Sequence, residues 1–265
     1  MTDAASVLLA ATAIGKRFGG VQALTDVSFS IRRGEIYGLI GPNGAGKTSL
    51  FNVLTGIYSP DSGNFTFDGA PLDRLNPNQV AERGIARTFQ NIRLFQNLSA
   101  LENVMIGRHV RTRAGVFGAI FRDRRTLAEE AGIEAQSYEL LEYVGVADRA
   151  NHLAKHLAYG DQRRLEIARA LATEPKLLAL DEPAAGMNAT ETKALKDLLD
   201  DIRRDGTTIL LIEHDMKLVM SICDRVLVLD YGKKIAEGSA AAVQSDPKVI
   251  AAYLGGEVTL QLRRA

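Results

Sequence analysis

The chain has 265 residues, of which 46% are hydrophobic and 24% are charged, a composition that suits one large globular domain or two small ones with a buried core. Its 32 basic residues balance 32 acidic ones, so no overall electric field draws the protein to nucleic acid, and no nucleic-acid partner is expected. No apolar run approaches the roughly 20 residues that a membrane-crossing helix needs, so any membrane role is expected to be peripheral.

The N-terminal residues and the single cysteine both favour a cytoplasmic location. Residues 1–9 lack the basic region and the long apolar core of a secretory signal, so no export is expected. Cys223 excludes an internal disulfide and fits a reducing compartment. We expect it to be a thiol of the core.

Short β-branched runs alternate with glycine-rich turns in the first seventy residues. These runs, at 27–31, 35–40 and 65–67, predict an antiparallel β layer beside a nucleotide-binding core.

A glycine-rich stretch, GPNGAGKT at 41–48, follows an apolar strand and precedes a helix-like run at 49–54. This is the pattern and the context of a phosphate-binding loop, which makes a chance glycine-rich turn the weaker interpretation. Glycines let main-chain N–H groups close around phosphate oxygens, and the helix N-terminus adds a positive dipole end. Lys47 is expected to contact the β- and γ-phosphates of ATP, and Thr48 to bind Mg²⁺. The nucleotide-binding residues predicted here are Gly41, Pro42, Asn43, Gly44, Ala45, Gly46, Lys47, Thr48 and Ser49.

The middle of the chain, about 99–172, has a helical pattern. Ser99 and Glu102 have the spacing of a reciprocal helix cap. The stretch 126–144 is rich in Ala, Glu and Leu, and it places Leu140, Leu141 and Val144 on one helical face. The sequence therefore predicts a helical segment inserted into an α/β core.

Continuous apolar runs at 177–180, 208–212 and 226–229 follow, separated by helix-length stretches. Such runs are typical of buried parallel strands. The first of them ends in two carboxylates, of which Asp181 can hold the Mg²⁺ shell and Glu182 can polarise an attacking water. Paired carboxylates at a strand end can also be solvated turn residues, but the phosphate loop disfavours that alternative.

The stretch LAYGDQRR at 157–164 precedes a helical run and lies shortly before the acidic strand. At this point the chain resembles the ABC ATPase family, whose signature motif begins Leu-Ser-Gly-Gly-Gln. Ala158 replaces the serine, Tyr159 a glycine and Asp161 the glutamine, whereas Gly160 and the helix start are kept. The resemblance implies that main-chain donors at Ala158 and Gly160 still face a γ-phosphate, without the serine hydroxyl.

Four further positions match the family's pattern. Phe18 stands where the family places an aromatic ring that stacks on adenine, although a lone phenylalanine is more often part of a core. Gln90 matches the glutamine that senses Mg²⁺ and the attacking water, and His214 matches the histidine that contacts the γ-phosphate. Asn188 stands where the family usually has an aspartate that touches the opposite subunit. The resemblance thus implies catalytic roles for Glu182, His214, Gln90 and Lys47, and metal binding by Thr48, Gln90 and Asp181.

Over residues 7–255 the whole chain is similar to one branch of this family, the ATPase subunits of bacterial branched-chain amino acid importers. The stretches that carry this similarity are RFGG at 17–20, RTFQ at 87–90, LAYGDQRR at 157–164, DEPAAG at 181–186, EHDM at 213–216 and AYLG at 252–255.

The similarity implies an α/β fold: a P-loop ABC ATPase head with an antiparallel β subdomain and an inserted helical subdomain. The expected divisions are 1–94 for the β layer with the phosphate loop, 95–172 for the helical subdomain, 173–240 for the rest of the core and 241–265 for a C-terminal helix and tail.

It also implies ATP and Mg²⁺ as cofactors and a location on the cytoplasmic face of the inner membrane. The expected partners are a second ATPase head, either a copy or a paralogue, two transmembrane permease subunits and, indirectly, a periplasmic solute-binding protein.

Other functions of the family compete with this interpretation. ATPases of lipopolysaccharide export or urea import share much of the core and stay open as alternatives. Soluble ABC proteins of DNA repair or translation need long coiled-coil insertions or two heads, which one phosphate loop in 265 residues does not fit. A regulatory head without activity is disfavoured because Lys47, Asp181, Glu182 and His214 are all present.

An apolar stretch at 114–121 lies between basic residues at 108–113 and 122–125. Eight apolar residues cannot span a bilayer. The segment 108–125 is therefore expected to pack on the helical insert, to contact a permease or to touch an anionic membrane surface.

Overall fold

A computed structural model describes residues 6–72, 74–111 and 124–253 of the chain. It divides into two compact units: a core unit, formed by Met1–Val80 and Ala179–Ala265, and a helical unit, Ala81–Leu178. The predicted helical insertion, 95–172, falls inside the helical unit, which begins earlier in the chain.

The described residues form both strands and helices. The strands are β1 (Val7–Phe18), β2 (Val21–Arg32), β3 (Ile36–Ile40), β4 (Ser62–Phe67), β5 (Ala70–Pro71), β6 (Ile85–Arg87), β7 (Leu177–Asp181), β8 (Thr208–Ile212), β9 (Arg225–Asp230) and β10 (Lys233–Gly238). The helices are α1 (Lys47–Leu54), α2 (Pro77–Glu82), α3 (Ala100–Arg108), α4 (Arg124–Tyr143), α5 (Tyr159–Leu171), α6 (Ala189–Arg204), α7 (Met216–Ile222) and α8 (Ala240–Gln244), and a final helical segment covers residues 247–253.

An antiparallel sheet of the core unit has the strand order β2-β1-β4-β5. Burial alternates along β2, where Val27, Phe29 and Ile31 point inward, as expected for a sheet with one covered face. The predicted antiparallel layer is therefore confirmed for the runs 27–31 and 65–67.

The second sheet of the core unit has the order β10-β9-β3-β8-β7. Strand β3 lies between β8 and β9 and is parallel to both, and every residue of β3, β7 and β8 is buried. The assignment of the run 35–40 to the antiparallel layer is therefore wrong. Composition alone does not distinguish the two sheets, but the absence of polar alternation in β3 is typical of a strand covered on both faces.

The helical unit is built on α3, α4 and α5, with β6 lying next to the first residues of β7. The predicted cap of α3 is confirmed, because Ser99 Oγ accepts the N–H of Glu102 at 3.1 Å and the Glu102 carboxylate accepts the N–H of Ser99 at 2.7 Å. On the predicted apolar face of α4, Leu141 and Val144 are buried.

Gly107 lets α3 approach α5 closely. A Cβ atom at this position would lie 2.3 Å from the carbonyl oxygen of Arg169, which is far inside van der Waals contact. A residue with a side chain would therefore separate the two helices.

Cys223 is buried, as predicted. Within residues 6–72, 74–111 and 124–253, no helix is both long and apolar enough to cross a bilayer. The predicted contact segment 108–125 lies mostly outside the described residues, because 112–123 are not among them, and so does the tail 256–265.

Candidate functional site

The predicted phosphate loop connects the end of β3 to the start of α1. Gly41, Gly44 and Gly46 have φ angles of 152°, 80° and 103°, which side chains disfavour. A Cβ at Gly41 would lie 2.2 Å from the carbonyl oxygen of Leu229, and one at Gly46 would lie 2.8 Å from the carbonyl oxygen of Ala23. Both the turn and the close packing of the loop therefore require glycine at these two positions.

Lys47 folds back over this loop. Its Nζ donates to the carbonyl oxygens of Gly41 at 2.7 Å and Pro42 at 3.1 Å. Burial lowers the pKa of Lys47, while the carboxylates of Glu182 and Asp181 oppose that shift. A cation held by neutral carbonyls at the centre of a glycine-rich loop, at the N-terminus of α1, suits the binding of a phosphate chain.

The two carboxylates of the acidic strand differ in backbone conformation. Asp181 ends β7 and is buried. Glu182 has a φ of 49°, and its N–H donates to the carbonyl oxygen of Ile212, the last residue of β8, at 2.9 Å. A positive φ at a residue other than glycine costs on the order of 1–3 kcal/mol, a strain often found at functional sites.

His214 lies beside Glu182 in the core unit. Its side chain is 61% exposed, and its Nδ1 lies 3.7 Å from Glu182 Oε2 and 3.8 Å from Glu213 Oε2. These pairs carry an ionic attraction only while the imidazole is protonated. The structure thus brings together two predicted catalytic residues that are 32 positions apart (214 − 182) in the sequence.

Glu213 is a site residue that the sequence reasoning missed. Its buried carboxylate accepts the N–H of Ala184 at 2.9 Å and the N–H of His214 at 3.2 Å, so it ties the turn after Glu182 to the turn that carries His214. Burial raises its pKa, although these main-chain donors oppose the shift. The signal available in the sequence was an acidic residue directly after the apolar run Ile209–Ile212.

The predicted Mg²⁺ ligands of the core unit are the exposed Thr48 and the buried Asp181. Their hydroxyl and carboxylate oxygens are the hard donors that Mg²⁺ prefers. Across the described parts of the chain, no group of three or more His, Cys, Asp and Glu side chains could hold a metal ion. One hydroxyl and one carboxylate fit an ion that takes its other ligands from phosphate oxygens and water, which is how Mg²⁺ usually binds with nucleotides.

Phe18, predicted to stack on adenine, ends β1 with 39% of its surface exposed. Its ring meets the Tyr58 ring edge-on, with centroids 5.1 Å apart, and Lys16 Nζ lies 5.5 Å from its centroid. The exposure does not fit a residue of the core. Stacking on adenine stays a prediction, and Tyr58 is an aromatic neighbour that the sequence did not indicate.

The signature residues lie at the start of α5 in the helical unit. Ala158 is the N-cap of this 13-residue helix, and alanine has no side-chain oxygen to accept the N–H groups of the first turn. The amides of Tyr159 and Gly160 therefore stand at the positive end of the helix, where an anion is favoured.

Asn188 caps α6 in the core unit. Its Oδ1 accepts the N–H groups of Thr190 at 2.9 Å and Glu191 at 3.0 Å, and the Glu191 carboxylate accepts the N–H of Asn188 at 2.8 Å. Asparagine caps helices about as well as aspartate, so the departure from the family's pattern preserves the helix start.

The predicted site residues fall into two groups. The core unit holds Phe18, the loop 41–48, Ser49, Asp181, Glu182 and His214, whereas the helical unit holds Gln90, Ala158 and Gly160. Gln90 is exposed, and the main chain of residues 89–93 is hydrogen-bonded to side chains of α5.

Comparison with known proteins identifies relatives of the whole chain. The family model described as ABC transporter matches residues 24–185, and the model described as branched-chain amino acid ATP-binding cassette transporter matches residues 233–259. The chain is 45% identical to the high-affinity branched-chain amino acid transport ATP-binding protein LivG of Salmonella typhimurium, over 94% of this chain and 98% of that protein.

Two further matches have lower identity. The lipopolysaccharide export system ATP-binding protein LptB of Haemophilus influenzae is 32% identical over 96% of this chain and 99% of its own length. A crystal structure of an ATP-binding cassette of an ABC transporter in its ADP conformation superimposes with a TM-score of 0.82 at 32% identity, covering 94% of this chain and 99% of that one.

Proposed function

The chain belongs to the ABC transporter ATP-binding family, and from that premise we propose that it is the ATP-hydrolysing subunit of an importer of branched-chain amino acids. The observation that carries the ATPase chemistry is the arrangement of Lys47, Glu182 and His214 in the core unit, where the charge of the glutamate acts on the lysine and the histidine lies 3.7 Å from that glutamate. The amino acid branch is supported by the higher identity to LivG than to LptB, 45% against 32%, and by the match at 233–259.

The residues of the core unit have distinct tasks in this proposal. The loop amides at 41–48 and the Lys47 ammonium bind the phosphate chain of ATP, and Phe18 offers its exposed face to the base. Glu182 orients or deprotonates the attacking water, and His214 donates to the γ-phosphate. Mg²⁺, held by Thr48 and Asp181 and sensed by Gln90, would neutralise charge on the phosphate oxygens. Phosphoryl transfer depends mainly on such positioning and charge stabilisation.

Hydrolysis in this proposal needs two heads. The family's signature motif acts on nucleotide held by the phosphate loop of the opposite head, so Ala158 and Gly160 of one chain would complete the site of its partner. The ATP-bound state then joins the heads, and hydrolysis lets them separate, which is the power stroke. The second head is a copy or a paralogue.

The remaining partners follow from the importer assignment. Two transmembrane permease subunits would hold the heads at the cytoplasmic face of the inner membrane, and a periplasmic solute-binding protein would deliver the amino acid from the other side. The ATPase head is peripheral in this assembly.

Uptake measurements test the proposal. Cells in which this chain is replaced by its Lys47→Ala variant should lose uptake of radiolabelled leucine, isoleucine and valine, whereas uptake of an unrelated sugar should be unchanged. The exposed Lys193 provides a matched control, because Lys193→Ala should leave amino acid uptake intact. Normal leucine uptake in the Lys47→Ala cells, with a defect in lipopolysaccharide assembly or urea uptake instead, would assign the chain to one of those transporters.

A further inference from the structure

Two charged side chains are buried in the helical unit, on the signature helix α5. Arg163 is 2% exposed and Glu166 is 1% exposed, and Arg163 Nη1 lies 3.2 Å from Glu166 Oε2. A buried ion pair carries a large desolvation cost, which further hydrogen bonds to its polar atoms help to offset. The partners of these two side chains therefore indicate what the pair does.

Those partners are main-chain groups of the loop that contains Gln90. Arg163 Nη1 donates to the carbonyl oxygen of Phe89 at 2.7 Å, and Nη2 donates to the carbonyl oxygen of Gln90 and, at 3.1 Å, to the Tyr159 hydroxyl. Glu166 Oε1 accepts the N–H groups of Phe89 and Arg93, both at 3.3 Å. The pair thus hydrogen-bonds four main-chain groups of residues 89–93 to one helix, α5.

Stability of α5 does not explain the pair. Leu165, Ile167 and Ala168 are fully buried on this helix, and Gly107 allows α3 to pack tightly against it. Apolar side chains of similar size often stabilise a core as well as a buried ion pair does. What apolar side chains cannot do is hold a neighbouring loop by directed hydrogen bonds to its carbonyls and amides.

Hydrogen bonds to Arg163 and Glu166 matter for the Gln90 loop because its side chains are poorly buried. Gln90 is exposed, and so are Asn91 and Arg93 on either side of a half-buried Ile92. Burial of these side chains therefore contributes little to holding the loop. The Arg93 guanidinium lies over the Phe89 ring, 4.4 Å from its centroid, and the hydrogen bonds to Arg163 and Glu166 restrict where the Gln90 main chain lies.

We propose that Arg163 and Glu166 are positioning residues that hold the Gln90 loop on the signature helix, so that Gln90 and residues 158–160 move as one piece. The inference rests on the proposed function, in which Gln90 and the signature residues both act during ATP hydrolysis. Both side chains are buried, and their hydrogen bonds described above are to protein groups. We therefore expect the pair to affect the chemical step rather than ATP affinity, which the loop 41–48 of the core unit supplies.

Arg163→Lys tests the proposal in the purified full-length protein. Lysine keeps the positive charge beside Glu166 but cannot donate to both carbonyls in the fixed geometry of a guanidinium. We expect kcat to fall about tenfold, the loss of roughly 1.4 kcal/mol of transition-state stabilisation, while the Kd for ATP changes less than twofold. The matched control is Arg108→Lys, because the Arg108 guanidinium belongs to the same unit and pairs with Glu174 at 2.6 Å, away from the loop; its kcat should be unchanged.

A second pair of variants separates positioning from stability. Glu166→Gln keeps an oxygen that accepts both loop N–H groups, but it leaves the buried Arg163 charge uncompensated, so we expect lower thermal stability. Arg163→Met combined with Glu166→Met removes both charges without leaving one uncompensated, so we expect it to fold with near-normal thermal stability. Hydrogen exchange at the Phe89 and Arg93 amides should nevertheless accelerate at least tenfold in the double variant, and its kcat should fall as in Arg163→Lys.

The outcomes separate this inference from the proposed function. If Arg163→Lys binds ATP and its kcat is within twofold of the wild-type value, the positioning role is overturned. This conclusion does not depend on whether the double variant folds. Glu182→Gln serves as the reference: if it hydrolyses ATP normally, the proposed function itself fails. A defective Glu182→Gln together with a fully active Arg163→Lys rejects only the inference about the pair.

Discussion

Nδ1 of His214 lies 3.7 Å from Oε2 of Glu182, because the strands that carry them end side by side. The N–H of Glu182 donates to the carbonyl oxygen of Ile212 at 2.9 Å, two residues before the histidine, and this hydrogen bond helps to hold the strained φ of 49° at Glu182. The glutamate that would activate water and the histidine that would contact the γ-phosphate are thus held by the same pair of strand ends.

Glu182→Gln should abolish turnover and keep ATP binding. The amide cannot accept a proton from the attacking water, and loss of a general base typically costs 10²–10⁴-fold, so we expect ATPase activity to fall at least about 100-fold. ATP should then hold the heads together as a stable dimer, detectable by size-exclusion chromatography with ATP and Mg²⁺. Glu139→Gln, at an exposed position of α4, should hydrolyse ATP normally. Undiminished hydrolysis by Glu182→Gln would remove the glutamate from the mechanism.

Local sequence patterns predict the parts of the fold that depend on local chemistry. The phosphate loop is predictable because Gly46 has a positive φ and a Cβ there would lie 2.8 Å from the Ala23 carbonyl oxygen, so only glycine fits. The cap of α3 is predictable because Ser99 and Glu102 bond within one helical turn. The role of His214 was assigned from the family resemblance. The residue type alone does not distinguish this histidine from the other three in the chain.

The parts that the sequence does not predict depend on contacts between distant segments. Residues 35–40 do not belong to the antiparallel layer because the neighbours of β3 come from positions after 200. The unbroken apolar run is typical of a buried strand, but it does not identify those neighbours. Glu213 and the Arg163–Glu166 pair escape prediction because charged side chains are usually solvated. Only the folded chain shows that their acceptors and donors are main-chain groups of other loops.

Two helical glycines should respond in opposite directions to alanine. At Gly107 the new Cβ would meet the Arg169 carbonyl oxygen at 2.3 Å, so α3 and α5 must separate. We expect Gly107→Ala to lower the free energy of unfolding by about 1–3 kcal/mol. At Gly132, in α4, a Cβ meets nothing within 4 Å, and Gly132→Ala should raise the free energy by about 0.5–1 kcal/mol through helix propensity. Thermal unfolding of both variants checks this, and a loss of stability in Gly132→Ala equal to that in Gly107→Ala would contradict the steric explanation.

The buried Glu213 should make stability fall as the pH rises. Burial raises its pKa above the ordinary 4.5, so the folded state binds more protons than the unfolded state between 4.5 and the folded-state value. The contribution of the protonated carboxyl is therefore complete below pH 4.5 and is lost as the pH rises through the folded-state pKa, with a slope of at most about 1.4 kcal/mol per pH unit.

Glu213→Gln isolates the ionisation, because glutamine has no proton to lose. Its single carbonyl oxygen replaces only one of the two carboxylate oxygens that accept from Ala184 and His214, but that loss is the same at every pH. Denaturant unfolding at several values between pH 4.5 and 8 should show the variant gaining stability relative to the wild type as the pH increases. If the free energy of unfolding of the variant does not increase relative to that of the wild type over this range, the carboxyl ionises without penalty.

Cys223 should be almost inert in the folded protein. Burial, reinforced by the carboxylates of Asp224 and Glu213, raises the pKa of its thiol from 9.0 to about 12, which lowers the thiolate fraction at pH 8 on the order of 10³-fold. Because the thiol is also only 8% exposed, labelling by a thiol-specific reagent such as N-ethylmaleimide should require unfolding. The chain contains no other cysteine, so the labelled fraction would report the opening of the sheet around β3, whose Gly38 lies against the Cys223 sulfur. The control is Cys223→Ala combined with Ala241→Cys, which places the thiol at an exposed position of α8. This thiol should react within minutes. Equally fast labelling of native Cys223 would show that the region around it opens without global unfolding.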